Sequence, residues 1–126
     1  MKVICFKGVT NSGKSKTIKR VLNGEFKIKI YPDKKDFRIS FEWKGLKILL
    51  CGCGDSLACM KPVFEEINPK NYDVFICACH PRNDVYNKLI SEFGLENINF
   101  INCINGESEE EYERRIELFM DFLNSD

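Results

Sequence analysis

The chain has 126 residues, of which 44% are hydrophobic and 30% charged, and this composition argues against a disordered segment and against a membrane protein. Its 19 Lys and Arg residues balance 19 Asp and Glu residues, so no net positive charge draws it to nucleic acid. No apolar run approaches the roughly 20 residues of a membrane span. We therefore expect one cytoplasmic domain, residues 1–126, without a membrane partner.

Apolar runs and amphipathic segments alternate along the chain, as in proteins with a parallel α/β sheet. Continuous apolar runs predict buried strands at residues 2–7, 46–51, 74–79 and 98–104. Helical spacing predicts helices at residues 14–22, from Pro62, at 83–93 and after Ser108. Strict alternation at 26–31 and 37–43 predicts antiparallel strands with one buried face. The predicted fold class is α/β: a mainly parallel sheet with helices on both faces and an antiparallel edge segment at about 26–51.

The last predicted helix has a clear start signal. Ser108 is followed three residues later by Glu111, which is the spacing of a capping box. The apolar positions of this helix share one face and are Tyr112, Ile116, Phe119, Met120 and Leu123. The exposed face is expected to carry Glu109, Glu110, Glu113, Arg114 and Glu117.

Seven cysteines lie mostly inside the apolar runs. Their odd number and their placement argue against a disulfide framework. The spacings Cys51-x-Cys53 and Cys77-x-Cys79-His80 could present thiolates to a metal, although zinc sites usually take their cysteines from turns. We expect reduced cysteines that pack as small hydrophobic side chains.

The segment 8–15, GVTNSGKS, fits the pattern G-x-x-x-x-G-K-[ST] and lies between a predicted strand and a predicted helix. Its glycines let the backbone curl so that N–H groups point at phosphate oxygens, and the helix start adds further donors. Lys14, which we expect to be exposed, would reach the β- and γ-phosphates, and the Ser15 hydroxyl would bind Mg²⁺. The predicted nucleotide-binding residues are Gly8, Val9, Thr10, Asn11, Ser12, Gly13, Lys14, Ser15 and Lys16.

With this motif, residues 1 to about 22 resemble the P-loop NTPase superfamily. The resemblance implies a nucleoside triphosphate with Mg²⁺, bound at the carboxyl edge of the sheet. It also implies an acidic residue that follows a hydrophobic strand and holds the metal through water. The best match for that residue is Asp55, although Gly52-Cys53-Gly54 separates it from the strand. An ordinary loop or helix-capping role of Asp55 is the alternative.

The middle of the chain is similar to the small GTPases in its order of elements, with a hairpin and a central strand after the first helix. The D-x-x-G element of that family would fall on Cys51-Gly52-Cys53-Gly54, which lacks the aspartate. No N-K-x-D motif is present, and the segment Asn102 to Asn105 stands at the corresponding place. We therefore expect ATP to be favoured over GTP.

The segment Cys79-His80-Pro81-Arg82 follows an apolar run at the sheet edge where the nucleotide is expected. Arg82 or His80 could contact the γ-phosphate, because arginine presents a planar set of donors to phosphate. A solvent-facing loop in which Pro81 starts the next helix is the alternative.

These patterns predict Mg²⁺-dependent binding and hydrolysis of ATP or another nucleoside triphosphate. Lys14, Asp55 and Arg82 are the predicted catalytic residues, and Ser15 and Asp55 the predicted metal ligands. No residue is identified as a water-activating base, so we also consider a protein partner that completes the site. A small-molecule or nucleotide kinase, and a non-catalytic nucleotide-dependent switch or assembly subunit, remain alternatives. The sequence does not indicate the oligomeric state.

Overall fold

The structure is a computed structural model that describes residues 1–9, 12–29, 38–52, 57–81, 84–103 and 106–125, with only the main chain of Leu57 and Cys59. Its five-stranded sheet consists of β1 (Lys2–Lys7), β2 (Arg38–Trp43), β3 (Leu46–Cys51), β4 (Val74–Cys79) and β5 (Ile98–Asn102). The strand order is β2-β3-β4-β1-β5. Only the β2–β3 pair is antiparallel. The predicted α/β class with a mostly parallel sheet is confirmed.

Helices pack on both faces of the sheet. They are α1 (Lys14–Gly24), α2 (Leu57–Pro62), α3 (Asp84–Phe93) and α4 (Glu109–Asn124). Because successive side chains of a strand point to opposite faces, β1 places Phe6 in the core formed with α1 and α4 and Cys5 in the core formed with α2 and α3. In the described ranges, no helix is long and apolar enough to span a membrane.

Residues 26–29 do not form the strand that their alternating pattern predicts. Phe26 is buried and Lys27 exposed, as the pattern requires, but Lys27 has a φ of 59° in the left-handed region. The chain therefore folds back on α1, and the Ile28 N–H donates to the Leu22 carbonyl at 2.8 Å. The rest of this predicted segment, residues 30–37, lies outside the described residues. Among those described, only β2 and β3 form antiparallel structure.

The helix predicted from Pro62 starts earlier than expected. Pro62 is the last residue of α2, and a π-helical turn at Val63–Ile67 continues from it. Proline is favoured at a first helical position because its missing N–H is not needed there. Here the missing N–H instead coincides with the change from α-helical to π-helical bonding, in which the Asn68 N–H donates to the Val63 carbonyl at 2.9 Å.

The strand order determines which segments flank the end of β1. β4 lies between β1 and β3, and all six of its residues are buried, so β4 rather than β3 is the central strand. The carboxyl end of β3 is therefore about 10 Å from that of β1, given the usual strand spacing. The nearest neighbours of the end of β1 are the residues that follow β4 and β5.

Candidate functional site

The connection from β1 to α1 depends on Gly13. This residue has a φ of 86°, a left-handed conformation that glycine adopts without the penalty of a Cβ atom. It is the N-cap of α1, and no side chain caps the helix. The first turn of α1 therefore presents its backbone donors without a competing side-chain acceptor, an arrangement that favours anions. Thr10 and Asn11 of the same loop lie outside the described residues.

Gly8 is required by close packing rather than by its backbone angles. Its N–H donates to the Cys79 carbonyl of β4 at 3.0 Å. A Cβ atom on Gly8 would lie 2.5 Å from the Ser12 hydroxyl oxygen and 2.8 Å from the Cys103 carbonyl oxygen. The loop is therefore held closely against the chain that follows β5.

Lys14 is turned into the loop. Its ammonium donates to the carbonyl oxygens of Gly8 at 2.6 Å and Val9 at 3.0 Å, and only 8% of the residue is exposed. The expectation that Lys14 is exposed was wrong, because its side chain turns toward the loop, where two carbonyl oxygens hold its charge. A positive charge is thus already positioned beside the uncapped start of α1.

The Ser12 hydroxyl is the second polar group inside the loop. Within the described part of the chain, it is the only buried side-chain oxygen or nitrogen without a hydrogen-bond partner. Leaving such a group unsatisfied costs about 1–3 kcal/mol, so the hydroxyl suits a loop that acquires a hydrogen-bonding ligand. Ser15 is half-buried in the first turn of α1, and the Lys16 amine extends outward to within 3.4 Å of the Glu107 carboxylate.

Two charged residues of α4 that the hydrophobic pattern missed are buried beside the loop. Arg115 is 0% exposed and Glu111 6% exposed, and Arg115 Nε donates to Glu111 Oε2 at 2.9 Å. The Ser108 hydroxyl accepts from the Glu111 N–H, which confirms the predicted cap, but the Glu111 carboxylate accepts from Arg114 and Arg115 instead of returning to Ser108. The i, i+4 spacing of Glu111, Arg115 and Phe119 places all three on the apolar face and is the signal that could have identified this pair.

The hydrogen bonds from Arg114 and Arg115 lower the pKa of Glu111 to about 2. Because the folded pKa lies below the ordinary value of 4.5, the contribution of Glu111 to stability is present above about pH 4.5 and is lost as the pH falls through about 2. We expect the difference in unfolding free energy between the parent and Glu111→Gln to be largest near pH 6 and to shrink toward pH 2. Urea denaturation of both proteins across this range measures it, and a difference that stays constant with pH would contradict the assignment.

Of the other predicted site residues, Asp55 and Arg82 lie outside the described residues. His80 is half-buried and directly follows Cys79, whose carbonyl accepts from Gly8. Of the two candidates after β4, His80 and Arg82, the structure therefore describes only His80. Its neighbour Cys79 contacts the loop directly.

The cysteines that the structure describes with side chains are buried and reduced: Cys5, Cys51, Cys77, Cys79 and Cys103. Burial raises the pKa of Cys5 and of Cys77, while a hydrogen bond with Cys5, followed by burial, raises the pKa of Cys79, so these thiols stay neutral. The expectation that cysteines pack as small hydrophobic residues is confirmed for these five. Among the described residues, no group of three or more His, Cys, Asp or Glu side chains could hold a metal.

The described site thus combines an uncapped helix start, a buried ammonium and a buried hydroxyl within one loop. Each of these groups can donate a hydrogen bond to an anion. Comparisons of the sequence with models of known protein families and with curated proteins found no match.

Proposed function

We propose that this protein binds a nucleoside triphosphate with Mg²⁺ at residues 8–15 and hydrolyses it, with ATP favoured over GTP. The observation that carries the proposal is the position of the Lys14 ammonium, which is held inside the loop by the Gly8 and Val9 carbonyls. It lies beside the start of α1, where the helix dipole and the backbone donors favour negative charge. A polyphosphate is the ligand that uses all these donors together.

The residues of the loop would have distinct roles. Lys14 and the backbone N–H groups would bind phosphate oxygens, and the Ser12 hydroxyl would gain the partner it lacks. Ser15 in the first helical turn, together with Asp55, would hold Mg²⁺, which neutralises phosphate charge when bound. Hydrolysis then depends mainly on positioning and charge stabilisation, and Arg82 or His80 would supply a further positive charge or donor.

The experiment that tests the proposal measures binding and turnover on the same preparation. Calorimetric titration with ATP and Mg²⁺ is expected to give one site per chain, and phosphate release is expected to fall to background when EDTA removes the metal. Tight binding with background turnover would assign the protein to the non-catalytic switches instead. Absence of binding would overturn the proposal.

Asp55→Asn is expected to retain most nucleotide affinity but to lower turnover and weaken the dependence on Mg²⁺. The amide keeps the size of the side chain and removes the charge that a metal requires. Phosphate release as a function of Mg²⁺ concentration measures the effect. Asp121→Asn is the matched control, because Asp121 is exposed on α4. Equal Mg²⁺ dependence in the two variants would assign the metal to other residues, with Asp33 and Asp36 next to be tested.

Discrimination between ATP and GTP is expected to be weaker than about tenfold, which corresponds to about 1.4 kcal/mol. Guanine-specific proteins of the resembled superfamily use an aspartate that accepts two hydrogen bonds from the base, and the segment Asn102 to Asn105 offers amides instead. A pocket without that acceptor cannot strongly reject the other base. Competition between GTP and labelled ATP measures the ratio, and displacement at a hundredfold lower GTP concentration would contradict it.

A further inference from the structure

Arg115 of α4 joins three separate segments through a side chain that is fully buried. Its NH1 group donates to the Ser12 carbonyl at 3.0 Å and to the Thr17 hydroxyl at 3.2 Å. Its NH2 group donates to the Gly106 carbonyl at 2.7 Å. A single guanidinium therefore connects the candidate loop, the first turns of α1 and the chain that follows β5.

Stability alone does not explain a buried arginine at this position. Removing a charge from water is costly, and apolar residues of similar volume often replace buried ion pairs without loss of stability. Three of the four hydrogen bonds of Arg115 go to loop carbonyls and to a hydroxyl of α1, and only one goes to its ion-pair partner Glu111. The planar set of donors is thus used mainly to fix the backbone and α1 around residue 13.

The direction of these bonds determines where the loop N–H groups point. The Ser12–Gly13 peptide bond is trans, so its N–H points opposite to the carbonyl that Arg115 holds. The next carbonyl, that of Gly13, accepts from the Thr17 hydroxyl at 2.8 Å, and Arg115 in turn donates to this hydroxyl. Arg115 therefore holds two consecutive carbonyls, that of Ser12 directly and that of Gly13 through the Thr17 hydroxyl. Among the described residues, no backbone hydrogen bond uses the Gly13 N–H.

We propose that Arg115 is a positioning residue of the phosphate loop, which holds the Ser12–Gly13 and Gly13–Lys14 peptides so that the N–H groups of Gly13 and Lys14 face the bound anion. This inference rests on the proposed function. Arg115 reaches the ligand only through the backbone that it holds, and Thr17 is its relay to the second peptide. Gly13 allows this contact, because a Cβ atom there would lie 3.1 Å from Arg115 NH1 and 2.8 Å from the Tyr112 hydroxyl oxygen.

The test distinguishes a role of Arg115 in positioning the loop for ligand binding from a role that only stabilises the packing of α4. Calorimetry with inorganic tripolyphosphate as the probe is applied to the parent and to Arg115→Lys, Arg115→Met and Lys2→Met, each shown to be folded by circular dichroism. Lys2 is the matched control, since its ammonium holds the Phe122, Leu123 and Ser125 carbonyls at the other end of α4. We expect both Arg115 variants to bind about tenfold or more weakly, and Lys2→Met to lose stability while its affinity stays within about twofold.

A second pair of variants provides the test if the Arg115 variants do not fold. Thr17→Val removes the hydroxyl that relays Arg115 to Gly13, and Thr17→Ser keeps it. We expect weaker tripolyphosphate binding for the valine variant and parental binding for the serine variant. If the parent binds and all folded variants bind equally well, the positioning role is wrong while the proposed function stands. If the parent itself does not bind, the proposed function fails and this inference fails with it.

Discussion

Lys14→Ala is expected to weaken triphosphate binding by about 10- to 150-fold, which corresponds to the loss of about 1.5–3 kcal/mol for hydrogen bonds to a charged group. The ammonium of Lys14 lies in the loop and contacts two of its carbonyls, so alanine removes the strongest donor that a phosphate would meet. Calorimetric titration with ATP and Mg²⁺ measures the affinity. Circular dichroism and thermal unfolding establish that the variant is folded.

The control for this prediction is Lys70→Ala. Unlike Lys14, Lys70 is exposed, and its amine lies 3.9 Å from the Glu92 carboxylate, away from the loop. Its replacement is expected to leave the affinity within about twofold, because an exposed ion pair contributes about 0–1 kcal/mol to stability and nothing to the loop. Equal affinities of the Lys14 and Lys70 variants would contradict the role assigned to Lys14.

Gly13→Ala is expected to destabilise the protein by about 2–6 kcal/mol and to weaken polyphosphate binding at the same time. A side chain in the left-handed region costs about 1–3 kcal/mol. Overpacking adds about 1–3 kcal/mol, because the new Cβ atom would lie 2.8 Å from the Tyr112 hydroxyl oxygen and 3.1 Å from a carbon of Glu107. Urea denaturation of parent and variant measures the loss of stability.

Gly24→Ala is the matched control for Gly13→Ala, since it makes the same change at the other end of α1. Nothing lies within 4 Å of a Cβ atom at Gly24, and its φ is ordinary. This substitution is expected to be neutral or to stabilise by up to about 1 kcal/mol. If the two variants had the same stability, the close contact between Gly13 and the side chains of α4 would be contradicted.

Much of the fold could be predicted because buried parallel strands read as continuous apolar runs. The runs at residues 2–7, 46–51 and 74–79 coincide with β1, β3 and β4. The glycine-rich motif likewise locates the start of α1 to the residue, since Gly13 is its N-cap. In both cases the structure follows from a local property of the sequence: the apolar run for the strands, and the glycine before the helix for α1.

Other features depend on contacts between distant segments and were missed. The position of β4 between β1 and β3 depends on how the strands pair in the sheet, and the residues of one apolar run do not show which strands will be its neighbours. The strand predicted at 26–31 has the correct alternation, yet Lys27 adopts a left-handed conformation and the chain turns back to α1. The burial of Lys14 follows from its contacts with the loop carbonyls, for which hydrophobic periodicity contains no signal. The burial of Arg115 was missed because a charged residue is expected on the exposed face, although its i, i+4 spacing to Phe119 places it on the apolar one.

Native mass spectrometry of the protein with ATP and Mg²⁺ tests the central claim most directly, because it counts bound nucleotide and metal on the intact chain. We expect a single adduct of one nucleotide with Mg²⁺ per chain, and we expect Lys14→Ala to show little or none at the same concentrations. A spectrum of the parent without any nucleotide adduct, or an equal adduct on Lys14→Ala, would contradict nucleotide binding at residues 8–15.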